Sequence, residues 1–317
     1  MSVELTMAIH MEPGKPSWSA YDRWAHKLEQ LSGGTLKIEM SYSGIVGIEE
    51  WNNVLSHACD IVRVFTLNMA PFPMHTVPAL PYMLPDSPAA LDIIDSLYKK
   101  YLHREWQEVK VLWLGLMSPW HLHTADKPVR TLDDLKGLRV QSSGLMAELV
   151  KAWGGIPVEI NAPAGSGRRG IQEAQYNALK NGIVDGSMGT FEVVSDFKLY
   201  EVTKCHTYLN VFRDINATVM NLNTWNILPE VIKQQFDKLN PQARIESSSA
   251  QMAEAEKPQQ ILKELGHMMI KPEVDEYDRF VKAAGKMVNA EIARLDAVGV
   301  PASSIAADIN KLRGGIA

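Results

Sequence analysis

Positions 3–9 alternate apolar and polar with period two, the pattern of a strand with one covered face. Pro13, Gly14 and Pro16 then break the chain, after which Trp18, Tyr21, Trp24, Leu28 and Leu31 recur at three- and four-residue steps. That spacing predicts a helix, closed by Gly33-Gly34. A second strand is predicted over 36–40, a short helix over 49–58 and a third strand over 60–65. The Pro-rich stretch 71–85 carries hydrophobic residues that need burial and reads as a fixed loop. Leu91, Ile94, Leu97 and Tyr101 mark another helical stripe, and 109–116 reads as a buried strand.

The alternation continues beyond Trp120. Thr131 is a good N-cap, with Asp133 and Asp134 in the first turn where the helix dipole favours them. Strands are predicted over 138–141 and 158–160, from Ile183, and over 217–222. Helices are predicted through Trp153, over 172–181 and over 191–202. From Pro229 helix follows helix, with Pro241 and Pro258 as start or kink points. The last stripe, Tyr277, Val281, Ala284, Val288, Ile292 and Leu295, is strongly amphipathic. Strands alternating with helices imply parallel sheets covered by helices on both faces. The fold class is α/β, with two lobes and later segments crossing between them.

Length and composition narrow the function. The 317 residues suffice for two hydrophobic cores, at 46% hydrophobic and 22% charged. A formal net charge of −5 argues against nucleic acid, and no apolar run is long enough to span a membrane. Cys59 and Cys205 are too few for a disulfide scaffold or a Cys-rich metal site, and they leave the redox compartment open. The chain enters its first strand at once, so it is either cytoplasmic or has lost a leader.

Gly165-Ser166-Gly167-Arg168-Arg169-Gly170 matches G-x-G-x-x-G, with Asp185 downstream where a ribose-binding acid would be sought. A dehydrogenase reading rests on that loop alone. Pro163 parts the glycines from the strand, and two arginines stand where backbone must approach a pyrophosphate. The alternatives are a flexible loop, or a loop that brings Arg168 or Arg169 to an anion. His121 and His123 flank Leu122 and would share a strand face, a spacing a metal could use. No third ligand lies nearby, so two polar residues lining a cleft is the preferred reading and no metal is expected. Neither a nucleophile elbow nor a phosphate-binding loop is present, and the sequence offers no catalytic constellation.

Leu132-Asp133-Asp134-Leu135-Lys136-Gly137-Leu138-Arg139-Val140 resembles the extracytoplasmic solute-binding subunit of tripartite ATP-independent periplasmic (TRAP) transporters, the DctP-type family. Further segments fall in the same order: Leu31 to Ile38, Ala79-Leu80-Pro81-Tyr82, Ala178 to Gly186, Leu199 to Val202, and Trp225 to Pro229. The resemblance implies a two-lobed periplasmic receptor with a ligand cleft between the lobes, crossing hinge segments and a long bracing helix near 242–265. Lobe I would comprise 1–123 plus 210–250, and lobe II 124–209 plus 251–317. It also implies a removed signal peptide, no enzymatic activity and no cofactor. The expected partners are a small solute and the TRAP membrane permease, and a monomer is expected.

The departures bear on the ligand. The family's arginine in Gly-Leu-Lys-Ile-Arg-Val, which clamps a carboxylate, corresponds here to Gln141. A second, less general arginine corresponds to His121, and the asparagine after Asp-Gly-x-x to Gly189. A neutral glutamine orients a carboxylate, hydroxyl or amide but supplies no charge. Arg63, Arg168 and Arg169 are the candidate replacement cations, while Arg213 reads as a structural ion pair. Trp18 and Trp120 are candidate walls, with Phe191 after Gly189. His10, at the end of the first strand, and His121 are candidate donors, acceptors or partial cations. The expected ligand is a small polar organic acid. The alternative within the class is an amine or zwitterion on the aromatic walls, with Glu192 or Asp214 as counter-ion.

Overall fold

The structure is a computed structural model that describes residues 2–43, 48–66, 69–163 and 167–314. In chain order its first elements are β1 (Val3–Ile9), α1 (Pro16–Leu31), β2 (Leu36–Tyr42), α2 (Ile48–Leu55) and β3 (Ile61–Phe65). They are followed by α3 (Pro73–Ala79), α4 (Ala89–Lys100), β4 (Val109–Leu116), β5 (His121–Thr124), β6 (Arg139–Gln141) and α5 (Gly144–Ala152). Next come β7 (Ile156–Val158), α6 (Gly167–Lys180), β8 (Gly186–Gly189), α7 (Phe191–Asp196), β9 (Cys205–Thr207) and β10 (Ile215–Asn221). The last are α8 (Leu222–Ile227), α9 (Glu230–Glu264), β11 (Met268–Ile270), α10 (Val274–Ala297) and α11 (Ala302–Gly314).

The chain divides into two compact units. The first comprises Met1–His75, Ile94–Met117 and Asp214–Glu254; the second comprises Thr76–Ile93, Ser118–Arg213 and Ala255–Ala317. The first holds a five-stranded sheet in the order β2-β1-β3-β10-β4, the second a six-stranded sheet in the order β11-β9-β5-β8-β6-β7.

The expectation of all-parallel sheets is corrected. β10 runs antiparallel to both β3 and β4, and β5 runs antiparallel to both β8 and β9. Each reversed strand begins just after the chain passes from one unit to the next, so a sheet built from a local βαβ run receives one strand from a distant segment. The two passages are tied down within each unit. In the first, the Met117 N–H donates to the Asp214 carbonyl at 2.9 Å. In the second, the Trp120 N–H donates to the Phe212 carbonyl and the Val211 N–H to the Trp120 carbonyl, both at 3.0 Å.

The first core is the meeting of two periodicities. The α1 stripe Ala20, Tyr21, Trp24, Ala25 and Leu28 is buried, and it packs on the inward face of β1, Leu5, Met7 and Ile9. Trp24 meets Trp113 edge-on at 5.0 Å, and its indole N–H reaches Asn240 Oδ1 at 3.2 Å. Pro16 in the first turn costs no hydrogen bond, because that N–H has no acceptor within the helix. Gly33 and Gly34 turn the chain out of α1 with φ of +62° and +78°. In the second unit Leu122, Val140, Leu149, Trp153, Phe212 and Phe280 share a core.

Two other expectations change. Residues 73–79 of the Pro-rich stretch form α3, which buries Val77 and Ala79 fully. Pro241 and Pro258 start no helix, since α9 runs continuously through both for 35 residues. Ile232, Phe236 and Ala243 pack on both sides of Pro241, which offsets the ladder bond that a proline removes. The short strands β9 and β11 escape the sequence pattern because three residues are too few to show a period.

Candidate functional site

Three parallel strands of the second unit, β7, β6 and β8, end side by side, with Gln141 level with Val158 on one side and Ser187 on the other. In open α/β sheets the carboxyl ends of such strands are where the connecting loops diverge and leave room for a ligand. A pocket of about 280 Å³ lies there. Gln141, Ser142 and Ser143 line it from the end of β6, Glu159 to Asn161 from the end of β7, and Gly189 from the end of β8. Trp120, Met146, Ile171, Met188, Val193 and Phe197 supply apolar walls.

Gln141 is the key polar group. Its Oε1 is buried and has no hydrogen-bond partner among the described residues. A buried carbonyl oxygen left unpaired costs free energy on the order of 1–3 kcal/mol, which a donor would recover if the amide turned toward the pocket. Among the described lining residues Glu159 is charged, and none is Lys or Arg. Trp120 is half-buried and stands edge-on to Phe212 at 6.3 Å. An added Cβ at Gly189 would meet nothing nearer than Val193 at 3.7 Å, so the missing side chain widens the pocket without being forced by packing.

His121 and Phe191 do not line this pocket. His121 is 4% exposed on β5, between the rings of Phe191 at 4.9 Å and Tyr208 at 5.4 Å, and its Nδ1 accepts from the Asn210 N–H at 3.4 Å. Burial, reinforced by His123, pushes its pKa down to about 3, so the ring is neutral rather than a partial cation. His123 lies on the same strand, and its two ring nitrogens are engaged by the Gly189 carbonyl at 3.1 Å and by His206 Nδ1 at 2.9 Å. Neither nitrogen is left over for a metal.

The other expected residues fall elsewhere. Arg169 is exposed and pairs with Glu173 at 3.1 Å. Gly165 and Ser166 lie outside the described residues, as does the Arg168 side chain. Gly167 to Gly170 form the first turn of α6, and the segment 159–166 separates them from β7. With β7 ending at Val158 and α6 beginning at Gly167, the helix does not follow the strand directly, as a dinucleotide site requires. Glu192 is buried and accepts the Ser118 hydroxyl at 2.5 Å. Arg213 is buried and donates to the Pro85 carbonyl at 3.2 Å.

In the first unit the ends of β1 and β3 carry a cluster of buried charge. His10 Nδ1 lies 3.0 Å from Glu50 Oε1, and its ring is 4.7 Å from Phe65. Arg63 is 3% exposed, with its two Nη atoms at 3.1 Å from Met11 Sδ and Gln251 Oε1 and a further contact to Met117 Sδ at 3.3 Å. No carboxylate pairs with it among the described residues, and its Nε is buried without a partner. A buried cation held by thioethers and an amide is poorly compensated and would be eased by an anion. Trp18 packs against the first core, and Asp214 is buried with its carbonyl on Met117.

Comparison with known proteins points one way. A family model described as bacterial extracellular solute-binding protein, family 7, matches residues 7–294. A TRAP periplasmic solute-binding protein from Desulfovibrio salexigens is 25% identical with a TM-score of 0.83, over 99% of this chain and 96% of its own. A TRAP solute-binding protein from Rhodoferax ferrireducens, in complex with copurified benzoate, is 21% identical with a TM-score of 0.83 over the whole of both chains. A third, from Roseobacter denitrificans with bound β-D-glucuronate, is 17% identical with a TM-score of 0.80, over 96% of this chain and 98% of its own. Among curated sequences, an uncharacterised Haemophilus influenzae protein is 25% identical over 162 residues, 50% of this chain and 46% of its own length. A solute-binding protein from Sulfitobacter is 24% identical over 225 residues, 66% of this chain and 64% of its own length. The match thus spans less than two thirds of either curated relative. The family and the solved relatives are transport proteins rather than enzymes, and no comparison supports the dehydrogenase reading.

Proposed function

The chain belongs to bacterial extracellular solute-binding protein family 7, the periplasmic receptors of TRAP transporters, and from that premise we propose that it binds a small organic acid and delivers it to a TRAP membrane permease. The observation that carries the reading is Gln141, which lines a pocket at the carboxyl ends of β6, β7 and β8 and whose buried amide oxygen has no partner among the described residues. Gln141 stands where the family's arginine is expected. In that place it orients the solute through its amide and leaves the binding of charge to another group.

Benzoate and β-D-glucuronate, the acids of two relatives, define the range to test, one aromatic and one polyhydroxylated. Trp120, Met188 and Phe197 suit the first; Gln141, Ser142 and Asn161 suit the second. Gly189 beside them leaves space for either. Arg63, judged within the first unit on its own burial and partners, is a separate candidate for holding an anion. A second reading, an amine or zwitterion, is favoured by Glu159 and by the lack of Lys or Arg among the described lining residues.

A thermal-shift screen of aromatic acids, sugar acids, amines and zwitterions separates these readings. Stabilisation by acids alone supports the first, and stabilisation by amines alone replaces it with the second. No response to any of them removes the receptor assignment for this pocket.

A further inference from the structure

Four side chains of the second unit form a continuous hydrogen-bonded line that ends at the pocket. His123 Nε2 lies 3.1 Å from the Gly189 carbonyl oxygen, and His123 Nδ1 lies 2.9 Å from His206 Nδ1. His206 Nε2 lies 3.0 Å from His267 Nδ1, and His267 Nε2 lies 3.4 Å from Lys204 Nζ. His123 and His206 are fully buried, His267 is 8% exposed, and Lys204 is exposed.

The two ends dictate where every proton sits. A carbonyl only accepts, so His123 Nε2 donates to Gly189. A neutral ring has one N–H, so His123 Nδ1 accepts and His206 Nδ1 donates to it. His206 Nε2 then accepts from His267 Nδ1–H. His267 Nε2 is left as an acceptor, and an ammonium, which only donates, faces it. Each ring carries one proton, and all four bonds point the same way.

We propose that His123, His206 and His267 are positioning residues which, oriented by Lys204, hold the Gly189 wall of the solute pocket through a one-directional chain of imidazole hydrogen bonds. This goes beyond the receptor reading and stands whether the solute is an acid or an amine. A proton added to His206 Nε2 would confront the His267 Nδ1–H, and one added to His123 Nδ1 would confront the His206 Nδ1–H. The outer nitrogen of His267 can gain a proton only against the Lys204 ammonium.

Among the described residues no carboxylate is bonded to a ring of this line. The groups facing His206 are His121 and His123 from β5, His267 from the turn before β11, and Lys204 from the residue before β9. From α7, the Phe191 ring lies 5.2 Å from His123 and 6.0 Å from His206. Asp126 and Arg130 act on the neighbouring Cys205. Burial lowers the pKa of His123 to about 4 and that of His206 to about 2, in keeping with rings that stay neutral.

Long-range ¹H–¹⁵N correlation on the full chain with labelled histidine reads the chain directly, without any ligand. At about pH 7, His123 should be the Nε2–H tautomer, while His206 and His267 should be Nδ1–H, the less common form. An Nε2–H signal from His206 or His267 would overturn the proposal. Lys204→Met, on an exposed residue, should raise the His267 midpoint toward the ordinary value of about 6.5, and Lys204→Arg should not. As His267 gains its proton in the Met variant, each donated bond strengthens in turn. The Gly189 carbonyl ¹³C resonance should then move with the same midpoint. A Gly189 carbonyl that stays fixed through that titration would show that the line is structural only and does not position the pocket.

Discussion

The histidines that meet a carboxylate all lie in the first unit, where His103 is the exception, its Nδ1 3.0 Å from the Tyr98 carbonyl. In the first unit His10 lies on Glu50 at 3.0 Å, His57 on Asp60 at 2.9 Å, His75 on Glu105 at 2.5 Å and exposed His26 near Asp22 at 3.5 Å. In the second unit His121, His123, His206 and His267 lie on one another, on main chain or on Lys204, with no carboxylate bonded to a ring among the described residues. The same contrast holds for the candidate site residues. The first unit buries a cation, Arg63, whereas the pocket of the second presents a neutral amide, Gln141. The second unit does bury Glu192 and Arg213, but neither lines its pocket. A residue type alone therefore says little about protonation; its neighbours decide it.

The largest effect expected from this contrast is acid lability confined to the second unit. A histidine whose folded pKa is depressed contributes stability that is fully present above its unfolded value of about 6.5 and is lost as pH falls toward the folded value. His121, His123 and His206 are lowered to about 3, 4 and 2 respectively. Taking the pH from 7 to 5 should then cost on the order of 2 kcal/mol for each. In the first unit His75 leans the same way through burial, but Glu105 opposes it. Hydrogen exchange at the two pH values should show β5 and β9 opening before β1 and β3. Equal loss of protection in both sheets would break the comparison.

Arg63→Met tests the charged interior. Met has a similar length and no charge to desolvate, so the melting temperature should hold or rise. If Arg63 holds an anionic solute, two charge-assisted bonds at about 1.5–3 kcal/mol each are lost, and affinity for that anion should fall on the order of 10²- to 10⁴-fold. Calorimetry with an acid taken from the screen measures this. Unchanged affinity with a higher melting temperature would leave Arg63 with no part in solute binding.

Gln141→Ala tests the neutral interior and should have a smaller effect. Loss of one neutral contact, with the solute group left partly unpaired, should weaken binding by roughly 1–3 kcal/mol, about five- to 150-fold. The fold should survive, since Gln141 Oε1 makes no bond with the described residues. Native affinity in this variant would move the solute out of the pocket.

Gly189→Ala is the mildest change. Its Cβ would stand 3.7 Å from Val193, an ordinary contact, so stability should change by no more than ~0.5 kcal/mol. The methyl group would take space from the pocket and should discriminate against bulkier solutes in the screen. An equal loss for small and bulky solutes would argue that Gly189 does not limit pocket size.

Much of the fold was legible because local periodicity is a local property. The α1 stripe from Tyr21 to Leu28, the β1 alternation and the buried run of β4 depend on neighbours in sequence, and each stands where the pattern put it. Of the site, Gln141, Trp120 and Gly189 were found by their place in a motif order rather than by their chemistry. Ser142, Asn161 and Gln175 carried no signal, since uncharged polar residues after a strand or within a helix look the same whether or not they line a pocket.

What the amino-acid order determined by itself was the set of elements, their α/β alternation and the family to which that order belongs. Tertiary structure alone decided the reversal of β5 and β10, because strand direction depends on which distant segment reaches the sheet. It also decided that Pro241 sits inside a continuous α9, because packing on both sides outweighs one lost hydrogen bond. The histidine line belongs to the same class. His123, His206 and His267 are far apart in sequence, and only the pairing of β5 with β9 and of β9 with β11 brings their rings together. Their protonation is set there as well, by burial that no sequence window contains.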